Sequence, residues 1–259
     1  MATATELLTQ GLPSQRYLIP KWPAPANVLA VASKRDLAKP DENPMAGFNV
    51  ARHVADDVQR VAQHRQQLRD DLQLLNEPAW LNQVHGSKVV SLPLPESTLV
   101  DADASYSDQQ GQTCVVMTAD CLPVLFCDRQ GTRVAAAHAG WRGLAEGVLE
   151  NTLALFPNPH DVMAWLGPAI GPDAFEVGED VKQAFVAASS QAEACFVSRP
   201  NVPGKYLADL YALARLRLQD CGVESIYGGQ ECTFGQQQDY FSHRRNPNSG
   251  RQLSLISLL

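Results

Sequence analysis

Residues 113–143 read TCVVMTADCLPVLFCDRQGTRVAAAHAGWRG, and they decide the fold class. Three apolar runs of strand length, 113–118, 123–127 and 132–137, are parted by Asp, Gln, Gly and Arg. Asp128-Arg129-Gln130-Gly131 is a turn-rich connector, so the second and third runs are expected to pair as a hairpin. Gly140-Trp141-Arg142-Gly143 then opens a helix over 144–156, with Leu144, Val148, Leu149, Thr152 and Leu155 facing inward. Pro157 and Pro159 stop it.

Working outward, the flanks alternate strands with helices. Upstream, 28–32 is a short buried strand and 34–44 a charged, proline-bearing loop. Val54, Val58, Val61, Leu68, Leu72 and Leu75 give 54–75 one buried helical stripe. Downstream, a strand at 162–166 runs into the loop Gly167-Pro168-Ala169-Ile170-Gly171-Pro172. Helices follow near 179–188 and 206–220, the second ended by Gly222, and late strands occupy 225–227 and 253–258. Residues 1–19 are expected to form a polar, flexible leader. No linker and no repeat of fixed period divides the remainder. The expectation is one α+β (mixed α/β) domain over 20–259, with mixed β-sheets flanked by helices.

Composition agrees with that size of core. A chain of 259 residues, 45% apolar, buries roughly three quarters of its unfolded surface and needs no disulfide or structural metal to fold. The formal charge of −7 argues against a nucleic-acid partner, which would want a basic face, but says nothing about one cleft. Six cysteines, at 114, 121, 127, 195, 221 and 232, form no paired CxxC. Residues 1–20 carry no basic region ahead of an apolar stretch, and no apolar run approaches the ~18 residues of a membrane span. A reducing cytoplasm is the expected compartment, with no membrane partner, and a monomer is the simplest assembly.

Three positions carry candidate metal chemistry. Cys121 follows Thr118-Ala119-Asp120 at one strand end, His138 closes the run 134–137, and His85 sits in Asn82-Gln83-Val84-His85-Gly86. Dispersed ligands of this type suit an open catalytic Zn²⁺ site, whose fourth position is left to water or substrate. The same residues also suit a hydrogen-bonded strand end and a buried thiol, so spacing alone leaves both readings open. His53, His64 and His160 lie in helical or turn surroundings and read as structural. Gly140 and Gly143 bracket Trp141 and Arg142 at a helix start, an arrangement that frees backbone N–H groups for an anion. Arg142 adds a fork suited to phosphate or carboxylate. Arg35 at a strand end and Phe241-Ser242-His243-Arg244-Arg245 are further cationic candidates. Asp101-Ala102-Asp103-Ala104 suits metal or base orientation and equally a solvated loop.

Taken together, NQVHG at 82–86, DAD at 101–103, TADC at 118–121, HAGWRG at 138–143, GPAIGP at 167–172 and FSHRR at 241–245 resemble the YfiH family. Its members are called laccase-domain proteins, polyphenol oxidases or purine nucleoside phosphorylases. The motifs occur in the family's order over nearly the whole chain. The resemblance implies a fold of mixed sheets and helices similar to that of bacterial deamidating toxins, and a metal site, normally zinc, on His85, Cys121 and His138. It implies phosphorolysis of adenosine, inosine or methylthioadenosine to base and ribose 1-phosphate, with adenosine deamination at the same site. Copper-dependent phenol oxidation and editing of peptidoglycan precursors are also attributed to members. The small-molecule partners are then a nucleoside and phosphate. Arg35, Asn49, Arg142 and Arg244 are the expected substrate and phosphate contacts, and Asp120 the expected acid/base. A cysteine hydrolase, with Cys121 as nucleophile and His138 as base, uses the same residue types. The sequence departs from the family at Asp36-Leu37-Ala38-Lys39-Pro40, where a Gly-Gly pair is usual. It departs again at Ala55-Asp56, in place of Gly-Asp, and at His243, in place of Tyr.

Overall fold

The three runs of the opening stretch become β5 (Thr113–Thr118), β6 (Leu122–Asp128) and β7 (Val134–Ala139), buried at every residue. Both faces of each strand are covered, which is why they read as continuous apolar runs rather than alternating ones. The computed structural model describes residues 4–37, 43–95 and 99–259. The expected loop at 34–44 and the family departure at 36–40 therefore lie partly outside the described residues.

The expected hairpin forms: β6 and β7 pair antiparallel, Leu122 opposite Ala139 and Cys127 opposite Val134. They occupy the middle of a six-stranded sheet. Beyond β6 lie β8 (Val162–Leu166) and β12 (Ser225–Gly228), and beyond β7 lie β4 (Ala104–Ser107) and β3 (Val89–Ser91). A four-stranded sheet is ordered β1 (Tyr17–Leu18), β2 (Val28–Ser33), β13 (Gln252–Leu258), β5. All its pairs are antiparallel.

Period-2 alternation divides the buried residues between three cores. Val28, Ala30, Cys114, Val116, Leu125, Ala136, Met163 and Ile256 lie between the two sheets. The other face of the six-stranded sheet, with Leu122, Val124, Phe126, Ala135 and Ala164, is covered by helices. These are α3 (Trp141–Ala145), α4 (Val148–Leu153), α5 (Glu179–Val186) and α6 (Leu210–Asp220). The other face of the four-stranded sheet, with Leu29, Val31, Val115 and Leu255, is covered by Leu68 of α2 (Val58–Asp71) and by Leu72, which caps it. The molecule is thus a mixed α/β fold of helix, sheet, sheet and helices. A three-stranded sheet of β9 (Glu176–Gly178), β10 (Phe196–Ser198) and β11 (Lys205–Ala208) lies beside it.

Several expected elements differ, each for a local reason. The helix expected over 144–156 is two short ones, because Gly147 takes the left-handed region at φ +93° between α3 and α4. Leu155 is left partly exposed beyond α4. The helix expected from 206 starts at 210: residues 205–208 pair as β11, and the Asp209 carboxylate caps α6 by accepting from the Ala212 N–H. The helix expected over 54–75 is shorter, capped by Asp57, with Val58 and Leu75 facing solvent and Arg65 in the buried stripe. Residues 1–19, expected as a polar leader, carry α1 (Ala4–Thr9) and β1, and Tyr17 is buried and donates to Asp71.

Candidate metal centre

The β6–β7 register places His138 opposite Pro123, so Cys121, just before β6, and His138 meet at one end of the hairpin. Between β5 and β6 the chain reverses at Asp120, whose φ of +90° is unusual for a residue with a Cβ. The reversal is held from several sides. The Asp120 carboxylate accepts from Thr233 Oγ1 at 2.7 Å, Ser242 Oγ at 3.0 Å and the Arg244 N–H at 2.6 Å, while its carbonyl accepts the Ile170 N–H. Asp120 faces the cavity, but both its oxygens are spent on these loops. These bonds hold the turn that presents Cys121, and Asp120, expected as the acid/base, lines the cavity with its carboxylate hydrogen-bonded to these loops.

His85 reaches the same point from a separate loop, and Asp103 is what brings it there. The Asp103 carboxylate, fully buried, accepts the N–H groups of Val84, His85 and Gly86 at 3.2, 2.9 and 2.7 Å, and His138 Nδ1 at 2.7 Å. One carboxylate therefore fixes two of the three candidate ligands and leaves His138 Nε2 free to bind an ion. His85 itself takes φ +63°, a conformation those N–H bonds sustain. On the strand side, the Gln83 side-chain amide clamps Met117, accepting its N–H and donating to its carbonyl, each at 2.8 Å.

The result is a His-Cys-His cluster. The ligand atoms of His85, Cys121 and His138 lie within 4.8 Å of one another, with His85 Nε2 3.8 Å from Cys121 Sγ. Zinc ligands at about 2.0–2.3 Å stand roughly 3.5 Å apart, so the donors fit one ion after a small contraction. Gly140 provides the close approach: a Cβ there would sit 3.0 Å from His85 Cδ2 and 3.1 Å from Cys121 Sγ. Gly143 packs against the carbonyl of Gly86 in the same way. Both glycines of HAGWRG thus allow close packing around the cluster. His138 is buried, Cys121 half-buried and His85 exposed, so the site is open on the His85 side.

The charges are coupled. Burial disfavours the Cys121 thiolate, but the charge of His138, aided by hydrogen bonds from His138 and His85, outweighs it and pulls the thiol down to about 6. Burial likewise disfavours the His138 imidazolium, and the thiolate and Asp103 together raise its pKa. Burial opposes ionisation of Asp103, yet His138 and the N–H groups of Gly86 and His85 hold its carboxyl below the usual range. A thiolate, two imidazoles and a hydrogen-bonded carboxylate are the chemistry of an N/S metal site.

The cluster opens into a cavity of about 400 Å³. Trp141, Ile170, Phe175 and Leu210 line it from the helical core. Met117, Thr118, His53 and Arg251 line it from the four-stranded sheet and the adjoining loops. Arg244 also lines it, stacked over the Phe175 ring at 5.7 Å and tied to the carbonyls of Ala174 and Glu176. His243, the departure from the family's Tyr, is on the rim and donates to the Pro247 carbonyl.

The remaining expected substrate contacts lie elsewhere. Arg35 is buried, and its guanidinium donates to the carbonyls of Asn43, Ala46 and Gln237, so its fork is spent on backbone. Arg142 is exposed and stacks on Trp141, outside the cavity lining. Asn49 is buried behind the wall, where it donates to Asp56 and accepts the Arg251 N–H at 2.8 Å, positioning the lining rather than forming it. His53, which reads as structural in the sequence, is a lining residue. Asp103, which reads equally as part of a solvated loop, is the cluster's organiser. Arg251 escapes a reading of the sequence, because its place depends on a strand pairing: Gln252 stands opposite Thr118 across β13 and β5.

Residues 31–259 match the family described as multi-copper polyphenol oxidoreductase laccase. Among curated proteins, the purine nucleoside phosphorylase YfiH of Escherichia coli (strain K12) is 47% identical over 94% of this chain and 99% of its own length. The purine nucleoside phosphorylase PA4543 of Pseudomonas aeruginosa is 49% identical over 93% of this chain and 98% of its own. Among solved structures, protein NMB0706 of Neisseria meningitidis superposes with a TM-score of 0.88 at 47% identity, covering 94% of this chain and 99% of its own. YlmD of Geobacillus stearothermophilus gives 0.86 at 28% identity, covering 95% of this chain and 97% of its own.

Proposed function

The chain belongs to the multi-copper polyphenol oxidoreductase laccase family, and we propose that this member is a zinc-dependent purine nucleoside phosphorylase. One observation carries the reading. The His85-Cys121-His138 cluster lies in the wall of a cavity that also offers aromatic faces, Trp141 and Phe175, and cations, Arg244 and Arg251. The names of its relatives, purine nucleoside phosphorylases, point the same way.

Zinc held by His85, Cys121 and His138 Nε2 supplies a fixed positive charge and a Lewis acid at the cavity wall. The donor set favours zinc over copper: a multicopper oxidase needs several copper sites rich in histidine. The chain has six histidines in all, and two of them join the cluster. Asp103 orients His138, and Asp120 holds the turn that presents Cys121. Trp141 and Phe175 offer the base a stacking face, and Arg244, fixed by backbone carbonyls, holds a charge above Phe175. In phosphorolysis an oxygen of hydrogen phosphate bonds to ribose C1′ as the C1′–N bond breaks. The bond's electron pair leaves with the purine, which takes up the proton that phosphate gives. The cavity suits adenosine, inosine or methylthioadenosine. The proposal extends to adenosine deamination, in which water replaces the 6-amino group and ammonia leaves. Six free cysteines fit a reducing cytoplasm, and no helix among the described residues is long and apolar enough to cross a membrane.

The test is phosphate-dependent release of adenine from adenosine by purified protein, scored beside metal content. The expected result is turnover that requires phosphate and falls at least 100-fold in a folded His138→Ala variant. Full activity in that variant would remove the metal from the mechanism.

A second reading has an observation of its own. Cys121, His138 and Asp103 form a thiolate–imidazole–carboxylate chain, the arrangement of a cysteine hydrolase. Metal and nucleophile compete for one thiolate, so alkylation decides. Stoichiometric zinc after dialysis, with Cys121 protected until a chelator is added, excludes the hydrolase.

A further inference from the structure

The cavity wall opposite the helical core contains polar groups that the packing leaves without partners. Thr118, at the end of β5, is 2% exposed, and its hydroxyl has no hydrogen-bond partner among the described residues. A buried hydroxyl without a partner is uncommon and calls for a ligand or an ordered water. The β13–β5 register sets Gln252 opposite Thr118, and Arg251, the residue before Gln252, lines the same cavity. The Arg251 side chain bonds through Nη1 alone, to the Ser249 and Gly250 carbonyls and Ser249 Oγ. No carboxylate within ion-pair distance neutralises it among the described residues. Asn49 fixes its backbone, and the same Asn49 holds the loop that presents His53. His53 is an exposed residue whose ring has no hydrogen bond among the described residues, and it lines the open side of the same cavity. Partial burial, followed by the charges of Arg251, Arg65 and His138, lowers the His53 pKa and so favours the neutral ring, which carries one N–H donor.

We propose that Arg251, His53 and Thr118 form the seat of the inorganic phosphate co-substrate, across the cavity from the aromatic wall that takes the base. A guanidinium fork, a hydroxyl and an imidazole N–H are three donors of different reach. A tetrahedral oxyanion offers acceptors in several directions at once and satisfies all three. Asp120, the acidic side chain in the lining, spends its hydrogen bonds on Thr233, Ser242 and Arg244, and its charge and that of Cys121 favour the charged form of Arg251 against the cost of its burial. The seat also accounts for why Arg35, Asn49 and Arg142 stand clear of the cavity: the fold supplies the anion's cation from the start of β13 instead. The choice of inorganic phosphate over other oxyanions rests on the phosphorolysis reading, while the existence of an anion seat rests on the geometry alone.

The experiment is titration of inorganic phosphate into the full-length protein, followed by isothermal calorimetry and by ³¹P line broadening, with and without adenosine. Wild type, Arg251→Gln, Arg251→Lys, Thr118→Val and Arg244→Gln are compared at equal metal content and equal thermal stability. The expected result is a phosphate affinity at least tenfold weaker in Arg251→Gln and several-fold weaker in Thr118→Val. Arg251→Lys retains part of the binding, and Arg244→Gln weakens phosphate binding less than Arg251→Gln does. Loss in Arg244→Gln with full binding in Arg251→Gln overturns the seat. So does a wild type that binds no phosphate at millimolar concentration with adenosine present. Arg251-dependent binding of adenosine 5′-monophosphate, without binding of inorganic phosphate, assigns the seat to a substrate's own phosphoryl group and overturns the co-substrate role. Phosphate binding intact alongside absent phosphorolysis removes the proposed activity and leaves the seat standing.

Discussion

Asp103 shows how much one residue can settle. Its four hydrogen bonds join a loop, a strand and a candidate metal ligand, and its ionised state sustains the thiolate–imidazolium pair of Cys121 and His138. The metal-free protein should therefore show a Cys121 that is alkylated at unusually low pH. The rate rises with pH as the thiol loses its proton, and its midpoint should fall near the depressed value of about 6, not at the ~8.5 of free cysteine. Asp103→Asn removes the carboxylate charge that favours the imidazolium, so the midpoint should move up toward 8.5; iodoacetamide kinetics across pH 5–9, on roughly that scale, would check it. A midpoint unchanged by Asp103→Asn would separate the thiolate from this carboxylate. The trio itself is legible in the sequence, because His85, Cys121 and His138 sit in quotable motifs at strand ends. Asp103 is not, since DAD reads the same on a solvated loop as it does at the buried entrance to β4.

At the scale of elements, legibility follows burial. The strands covered on both faces, β2, β5, β6, β7, β8 and β13, stand out because a short, continuously apolar run between turn residues is what two-sided burial requires. Where only one face is covered, as at β3, β9 and β11, the signal is faint, and 205–208 reads as part of the helix that follows. Helix ends are set by single residues that periodicity cannot see: Gly147 in the left-handed region and Asp209 as a cap. The site makes its own demands on the turn between β7 and α3. Gly140→Ala places a methyl against His85 Cδ2 and Cys121 Sγ, and the ligands must part to admit it. The expected outcome is a loss of about 1–3 kcal/mol in stability with at least tenfold weaker zinc retention, measured by chelator competition and thermal melting. Wild-type retention would mean that the cluster tolerates a wider spacing than these contacts indicate.

The whole molecule divides its cores so that one sheet serves two of them. Leu125 faces the sheet–sheet interior while its neighbours Val124 and Phe126 face the helices. Leu125→Ala should cost about 2–5 kcal/mol in denaturant unfolding, since two sheets close on that position and neither can follow a lost side chain far. A cost below about 1 kcal/mol would show that the sandwich can collapse there. At this scale the net charge of −7 is a poor guide: the acidic surplus lies outside a cavity that gathers Arg244 and Arg251. No one-dimensional pattern announces such a gathering, because it is assembled by pairing between β5 and β13, residues far apart in the chain.

That pairing also imposes an order in time. β13 lies between β2 and β5 in the four-stranded sheet, yet the ribosome makes it after every other described strand. Until it is inserted, β2 and β5 have no bond to each other, Arg251 has no place beside Thr118, and two apolar strands present open edges to their surroundings. Insertion of β13 thus completes the sheet and the cavity wall together, and a chain truncated before residue 252 is expected to leave the edges of β2 and β5 open and to aggregate more readily, as light scattering of the truncated protein would show.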